Sequence, residues 1–117
     1  MSFNTRFDSL LTCFSPNYLP SIFCISETRF SSTRADNIPG YQSFHTIRNS
    51  ETPAGGVSIY VEENISARRI SNLSFSNDTI EICSVEIKIS NHVITLLGIY
   101  RPHSDTTENF NSLFLDF

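Results

Sequence analysis

Charge is scarce in this chain, and an excess of basic residues is missing altogether. Only 17% of the residues are charged, which is low for a self-sufficient, well-solvated domain. Ser, Asn and Thr carry the polarity instead. That balance suits a β-rich body with polar loops, or a piece whose missing half covers apolar surface. The net charge is −4 and the isoelectric point lies near 5.2. A free-standing nucleic-acid binder is ordinarily basic, because phosphate neutralisation by Lys and Arg supplies most non-specific affinity. A simple DNA-binding module is therefore disfavoured. A nuclease is disfavoured less, since metal ligands are themselves acidic.

Cysteine is sparse too. Cys13, Cys24 and Cys83 are far apart, odd in number and without a C-x-x-C spacing, so neither a disulfide framework nor a zinc site is expected. Buried, reduced thiols and a cytoplasmic or nuclear setting are the expectation. No apolar run approaches the ~20 residues needed to span a bilayer. Met1 is not followed by a basic region and an apolar core, so a secretory signal is not expected either. The N-x-[ST] triplets at Asn64, Asn72 and Asn77 then read as chance matches. Repeats, low-complexity tracts and interdomain linkers are absent, and 117 residues make one domain at most, spanning 1–117.

What is present is an apolar complement large enough for a core, with 10 Phe and many Ile and Leu. Phe3, Phe7, Leu10, Leu11 and Phe14 recur at helical spacing, which predicts an amphipathic helix. Pro16 and Pro20 bound it. The continuous run Ile22-Phe23-Cys24-Ile25 predicts a short strand buried on both faces, ending at Ser26-Glu27-Thr28. Residues 29–54 read mostly as loop, with a turn at Pro39-Gly40-Tyr41 and a short strand over Tyr41 to Ile47. Gly55-Gly56 leads into an alternating strand, Val57 to Val61. Ile65 to Leu73 predicts irregular structure containing a short strand.

Residues 79–100 read as a hairpin turning at Ser90-Asn91-His92. The apolar side changes near Cys83, which implies a bulge or two covered faces. Arg101-Pro102-His103-Ser104 breaks the second strand. Asp105 and Glu108 have capping-box spacing, and Phe110, Leu113, Phe114 and Phe117 continue at helical intervals. An α/β architecture follows, a sheet with helices on one side. Exposed apolar surface, above all at Phe110, Leu113, Phe114 and Phe117, would favour self-association.

Glu27 is the most informative polar position. A carboxylate directly after an apolar strand sits where α/β proteins commonly build sites, and Mg²⁺ prefers one or two carboxylates plus waters and phosphate oxygens. The plain alternative is an ordinary exposed loop Glu. Tyr100, by spacing alone, is a packed aromatic at a strand end.

The run Ile22-Phe23-Cys24-Ile25-Ser26-Glu27-Thr28-Arg29-Phe30 resembles the "I-x-x-I-[ST]-E-T-[WR]-[LF]" signature of endonuclease/exonuclease/phosphatase domains. Pro39-Gly40-Tyr41 resembles the "PGY" of their non-LTR retrotransposon branch, which is apurinic-endonuclease-like. Gly55 to Val61 is similar to its "GGV-x-[IL]-Y-V" strand, and Glu81 to Ile87 to its "E-x-x-x-[VI]-[EK]-[IL]" strand. Gly98-Ile99-Tyr100-Arg101-Pro102 is similar to "x-[IV]-Y-R-P", and Ser2 to Leu10 to the "S-L-x-N-K-x-x-x-L" helix start. Each motif is short; their number and order carry the likeness. The "PGY" and "YRP" forms favour this branch over the phosphatase and exonuclease branches.

The resemblance implies a partial four-layer α/β sandwich, with a mostly antiparallel or mixed sheet and flanking helices, truncated at both ends. It implies a fragment of a Mg²⁺- or Mn²⁺-dependent phosphodiesterase that nicks DNA, with no small-molecule cofactor and no membrane partner. Glu27 matches a metal ligand. Tyr100 matches a tyrosine beside the scissile phosphate, whose hydroxyl can donate to a phosphate oxygen as charge builds there. His103 departs from the pattern, standing where apurinic relatives carry Asn and many retrotransposon relatives a second Pro; an exposed loop histidine is expected. Arg101 could meet a nucleic-acid backbone or be solvated, and His45 and His92 are expected to be structural. The family's early Asn, its Asp segment and its terminal His with partner Asp have no match in this chain. The alternative reading is a catalytically dead relic or an interaction module.

Overall fold

The computed structural model describes residues 20–31, 37–48 and 54–101. Their elements run β1 (Ile22–Ser26), β2 (Tyr41–Thr46), β3 (Val57–Glu62), β4 (Ser66–Arg69), a 3-10 turn (Ser71–Leu73), β5 (Phe75–Ser76), β6 (Glu81–Ile89) and β7 (His92–Tyr100). Antiparallel neighbours close through tight turns and need no helical crossover. The hairpin β6–β7 shows this most directly. Its register is continuous from Glu81↔Tyr100 to Ile89↔His92, so β6 carries no bulge. Its five residues from Glu81 to Val85 are all buried because both faces are covered. Ser90 takes the first central position of the turn with φ 54, a sign that primed hairpin turns require and that L-residues adopt at a cost. Ser90→Gly is accordingly expected to raise stability by about 0.5 kcal/mol, read as a small upward shift of the thermal midpoint.

The strands form two sheets. The first has the order β1-β3-β2. In the second, β6 pairs β7 along one edge, and pairs β4 and then β5 along the other. Every ladder is antiparallel. Val57, Ile59 and Val61 from β3 interlock with Cys83, Val85 and Ile87 from β6, making the core between the sheets. Arg69 spans them, donating from β4 to the Thr46 hydroxyl (3.2 Å) and to the His45 carbonyl on β2. The outer face of the first sheet has a satellite cluster, in which Tyr60 stacks on Phe23 and packs with Phe30 and Ile38. His45 belongs there, edge-on to Phe30 and Tyr60 with Nδ1 2.6 Å from the Ser58 hydroxyl.

This architecture corrects the α/β expectation. Strands take up 58% of the described residues and helix 4%, the latter being the 3-10 turn. The described residues make two antiparallel sheets, not a partial α/β sandwich with flanking helices. The helices predicted over 3–14 and 105–117, with Phe110, Leu113, Phe114 and Phe117, lie outside the described residues. A second correction concerns β1. Among the described residues it is an edge strand with Cys24 exposed, whereas the strand of that sheet covered on both faces is the central β3. The short strand expected over Tyr41 to Ile47 is β2, which ends one residue earlier at Thr46: Gln42, Phe44 and Thr46 pair with the core-facing residues of β3, and Tyr41, Ser43 and His45 with those of the outer face. The short strand expected within Ile65 to Leu73 is β4.

Candidate functional site

Glu27 follows β1 directly, and the chain turns sharply there. Glu27 and Arg29 have φ values of 55 and 57, a left-handed conformation that costs a non-glycine residue about 1–2 kcal/mol. Such strain persists only where the surroundings over-determine it, and it gathers at functional sites. The surroundings here are the Gly55-Gly56 corner before β3. Arg29 N–H donates to the Gly55 carbonyl at 2.7 Å and Thr28 N–H to the Gly56 carbonyl at 3.4 Å. Both glycines are required. Their φ values are +59 and +97, a Cβ on Gly55 would stand 2.5 Å from the Arg48 guanidinium and from Glu81 Oε1, and one on Gly56 would stand 2.5 Å from Thr28 Oγ1.

Tyr100 ends β7, beside Glu81 in the ladder. Its hydroxyl donates to Glu27 Oε1 at 2.8 Å, joining residues 73 apart in sequence and crossing from one sheet to the other. Burial, then the hydrogen bond to Glu27, push the phenol above its ordinary value of 10.0. It therefore stays a protonated donor at neutral pH.

Beneath this pair lies Glu81, which is 0% exposed. Four donors reach its carboxylate: Arg48 Nε (3.0 Å) and Nη2 (3.1 Å), Ser76 Oγ (2.6 Å) and Gly56 N (3.0 Å). Burial raises the carboxyl's pKa, but the bonds from Arg48, Ser76 and Gly56 outweigh it and hold it below the usual 4.5. The hydrogen bond to Glu81 raises the Arg48 pKa, and the negative charge of Glu27, like that of Glu81, raises it further.

The two residues singled out from sequence, Glu27 and Tyr100, are thus brought together. Arg101 is half-buried just after β7, His92 is exposed at the start of β7, and His103 lies outside the described residues. Glu81 and Arg48 were missed as site residues. The signal for Glu81 was a carboxylate between Ile80 and Ile82 at the head of an apolar strand, where an unpaired charge would be too costly. Arg48 gave no signal.

For a divalent cation, Glu27 is the available ligand. One oxygen accepts from Tyr100 and the half-buried carboxylate keeps its second oxygen, which suits Mg²⁺ held by one carboxylate, waters and phosphate oxygens. Glu81 is committed to its four donors. Among the described residues, no three His, Cys, Asp or Glu side chains gather as a metal shell, and no helix is long and apolar enough to cross a membrane. No known protein family, no curated protein and no solved structure matches this chain.

Proposed function

We propose that this chain contributes part of the site of a Mg²⁺- or Mn²⁺-dependent phosphodiesterase acting on DNA, related to the endonucleases of non-LTR retrotransposons. The observation that supports this reading is the Tyr100–Glu27 hydrogen bond, which unites the two positions the motifs mark. Glu27 would hold the cation, which when bound supplies Lewis-acid polarisation of a phosphate oxygen. The Tyr100 hydroxyl orients the carboxylate by donating to it, and on substrate binding its one proton would have to swing from Glu27 to a non-bridging oxygen as charge builds there. A DNA substrate and the unpaired thiols Cys24 and Cys83 fit a nuclear or cytoplasmic setting.

Mn²⁺ titration of the purified chain tests the reading. Binding is expected, and Glu27→Gln is expected to weaken it by at least about 10-fold, since loss even of a group that only supports a ligand typically costs that much. Equal affinity in the two proteins would sink the proposal. Plasmid nicking by the chain alone is expected to be slight, because the groups that would activate the attacking water have no match in it.

A second reading, a non-catalytic association module, draws on the β6–β7 hairpin. Val93, Leu97 and Ile99 are exposed on one face of the hairpin and Ile89 and Ile94 on the other, an unusual density of surface aliphatics. Size-exclusion chromatography decides this point: concentration-dependent oligomers support it and a compact monomer counts against it.

A further inference from the structure

Glu81 is an odd residue for its place. Every aliphatic neighbour along β6 from Ile80 to Val85 is fully buried, and an aliphatic residue at 81 would extend that core without the desolvation cost of several kcal/mol that a buried carboxylate carries. What an aliphatic residue could not do is accept hydrogen bonds. Glu81 accepts one from Gly56 N–H, and its carboxylate and the Arg48 guanidinium lie against the bare Cα of Gly55. The carbonyls of those two glycines in turn receive the Arg29 and Thr28 N–H groups, the two that directly follow the strained Glu27. On its other side Glu81 stands directly opposite Tyr100 in the β6–β7 ladder, so the two side chains share a face.

We infer that Glu81 is a positioning residue: anchored by Arg48 and Ser76, it fixes the Gly55-Gly56 corner and with it the left-handed turn that presents Glu27 to Tyr100. The functional half of this inference, that the Glu27 carboxylate so held is the better ligand, rests on the metal-dependent reading above. The mechanical half does not. The left-handed turn has a local cost, and the corner's two carbonyls are its visible restraint. Removing the corner's anchor frees Glu27 to relax and leaves the β6–β7 ladder paired elsewhere.

Native-state amide hydrogen exchange of the full chain tests the mechanical half without metal. In Glu81→Gln, protection of the Arg29 and Thr28 amides is expected to fall about tenfold or more relative to amides in the middle of β6 and β7, as a local opening does. Ser84→Ala is the control. It removes the bond from a buried hydroxyl on the same strand to the Leu73 carbonyl, and should lower protection without singling out residues 28 and 29. Should Glu81→Gln prove too unstable, Ser76→Ala removes one of Glu81's anchors and is expected to lower the same two amides about threefold. Uniform loss of protection in Glu81→Gln or Ser76→Ala would overturn the inference, leaving Glu81 a general stabiliser. Mn²⁺ titration tests the functional half: Glu81→Gln, measured where it is folded, should weaken binding about tenfold. Wild-type affinity in that variant overturns positioning for metal, whereas failure of the unmodified chain to bind Mn²⁺ overturns the proposed function and leaves the exchange result to decide the corner.

Discussion

Glu81→Ala is expected to lower the unfolding free energy by about 3–5 kcal/mol, the usual penalty for removing one partner of a buried ion pair. The loss has three sources. The Arg48 guanidinium, 29% exposed beside a carboxylate that is 0% exposed, loses its counter-charge but can recover some hydration, which favours the lower end of that range. The buried Gly56 N–H loses its acceptor and the Ser76 hydroxyl loses a charged one, and each orphaned donor costs about 1–3 kcal/mol. The third source is the void left between β5, β6 and the corner. Urea unfolding of the variant and the unmodified chain reads the difference directly. A loss below about 1 kcal/mol would show that the cluster is far more solvated than its geometry implies.

The same carboxylate sets an acid limit. Its folded pKa lies below 4.5, so it contributes stability that is fully present above pH 4.5 and is lost as the pH falls through the folded value. Unfolding free energy of the unmodified chain is therefore expected to drop on acidification below pH 4.5. Glu81→Ala should show a flatter profile there. Glu86, held below its ordinary value by the hydrogen bond from Arg68, remains in the variant, and a shallow acid slope should remain with it. Equal slopes in both proteins would remove Glu81 as the source.

Gly98→Val is expected to cost about 3 kcal/mol, near the upper end for forcing extra volume into a packed interior. Gly98 is buried in β7 opposite Cys83. A Cβ there would stand 2.7 Å from Cys24 Sγ and 2.9 Å from Val57 Cγ1. Neither atom is the end of a long, mobile side chain, and Val57 is fully enclosed. Accommodation would push β7 away from β1 and β3, and Tyr100 is two residues along the same strand. The variant should thus lose stability and also loosen the Tyr100–Glu27 bond, returning the phenol titration toward its ordinary value. Gly98→Ala, with a single Cβ, should show both effects at smaller size. An unchanged phenol titration in a destabilised Gly98→Val would separate the packing of the sheets from the geometry of the site.

Much of this was legible from local pattern. Alternation and turn residues predict the hairpin over 79–100, and alternation predicts β2 from Tyr41. The double glycine before Val57 marks a tight entry into the strand, where a side chain would be both strained and crowded. Glu27 announced itself as an acid at a strand end. The ambiguity at Cys83 resolved as two covered faces, because the apolar pattern changes side while the ladder stays in register. The strands over Ile22 to Ile25 and Val57 to Val61 are where the sequence placed them, but the burial expected of β1 failed for a physical reason. Ile22 to Ile25 and Val57 to Val61 are both short apolar stretches, and nothing local says which becomes the edge and which the centre of a sheet. The two-residue β5 has too little pattern to be seen at all.

The sequence by itself determined where the chain extends, where it turns, and which acid and which phenol merit attention, because those depend on side-chain period and on backbone freedom within a few residues. Only the tertiary structure decided that the described body is two antiparallel sheets, that β3 and not β1 lies at the centre of its sheet, and that Glu27 meets Tyr100 over a buried Glu81. Those outcomes depend on contacts between residues tens of positions apart, whose free energy comes from shared burial and matched donors and acceptors, and no local pattern carries that information.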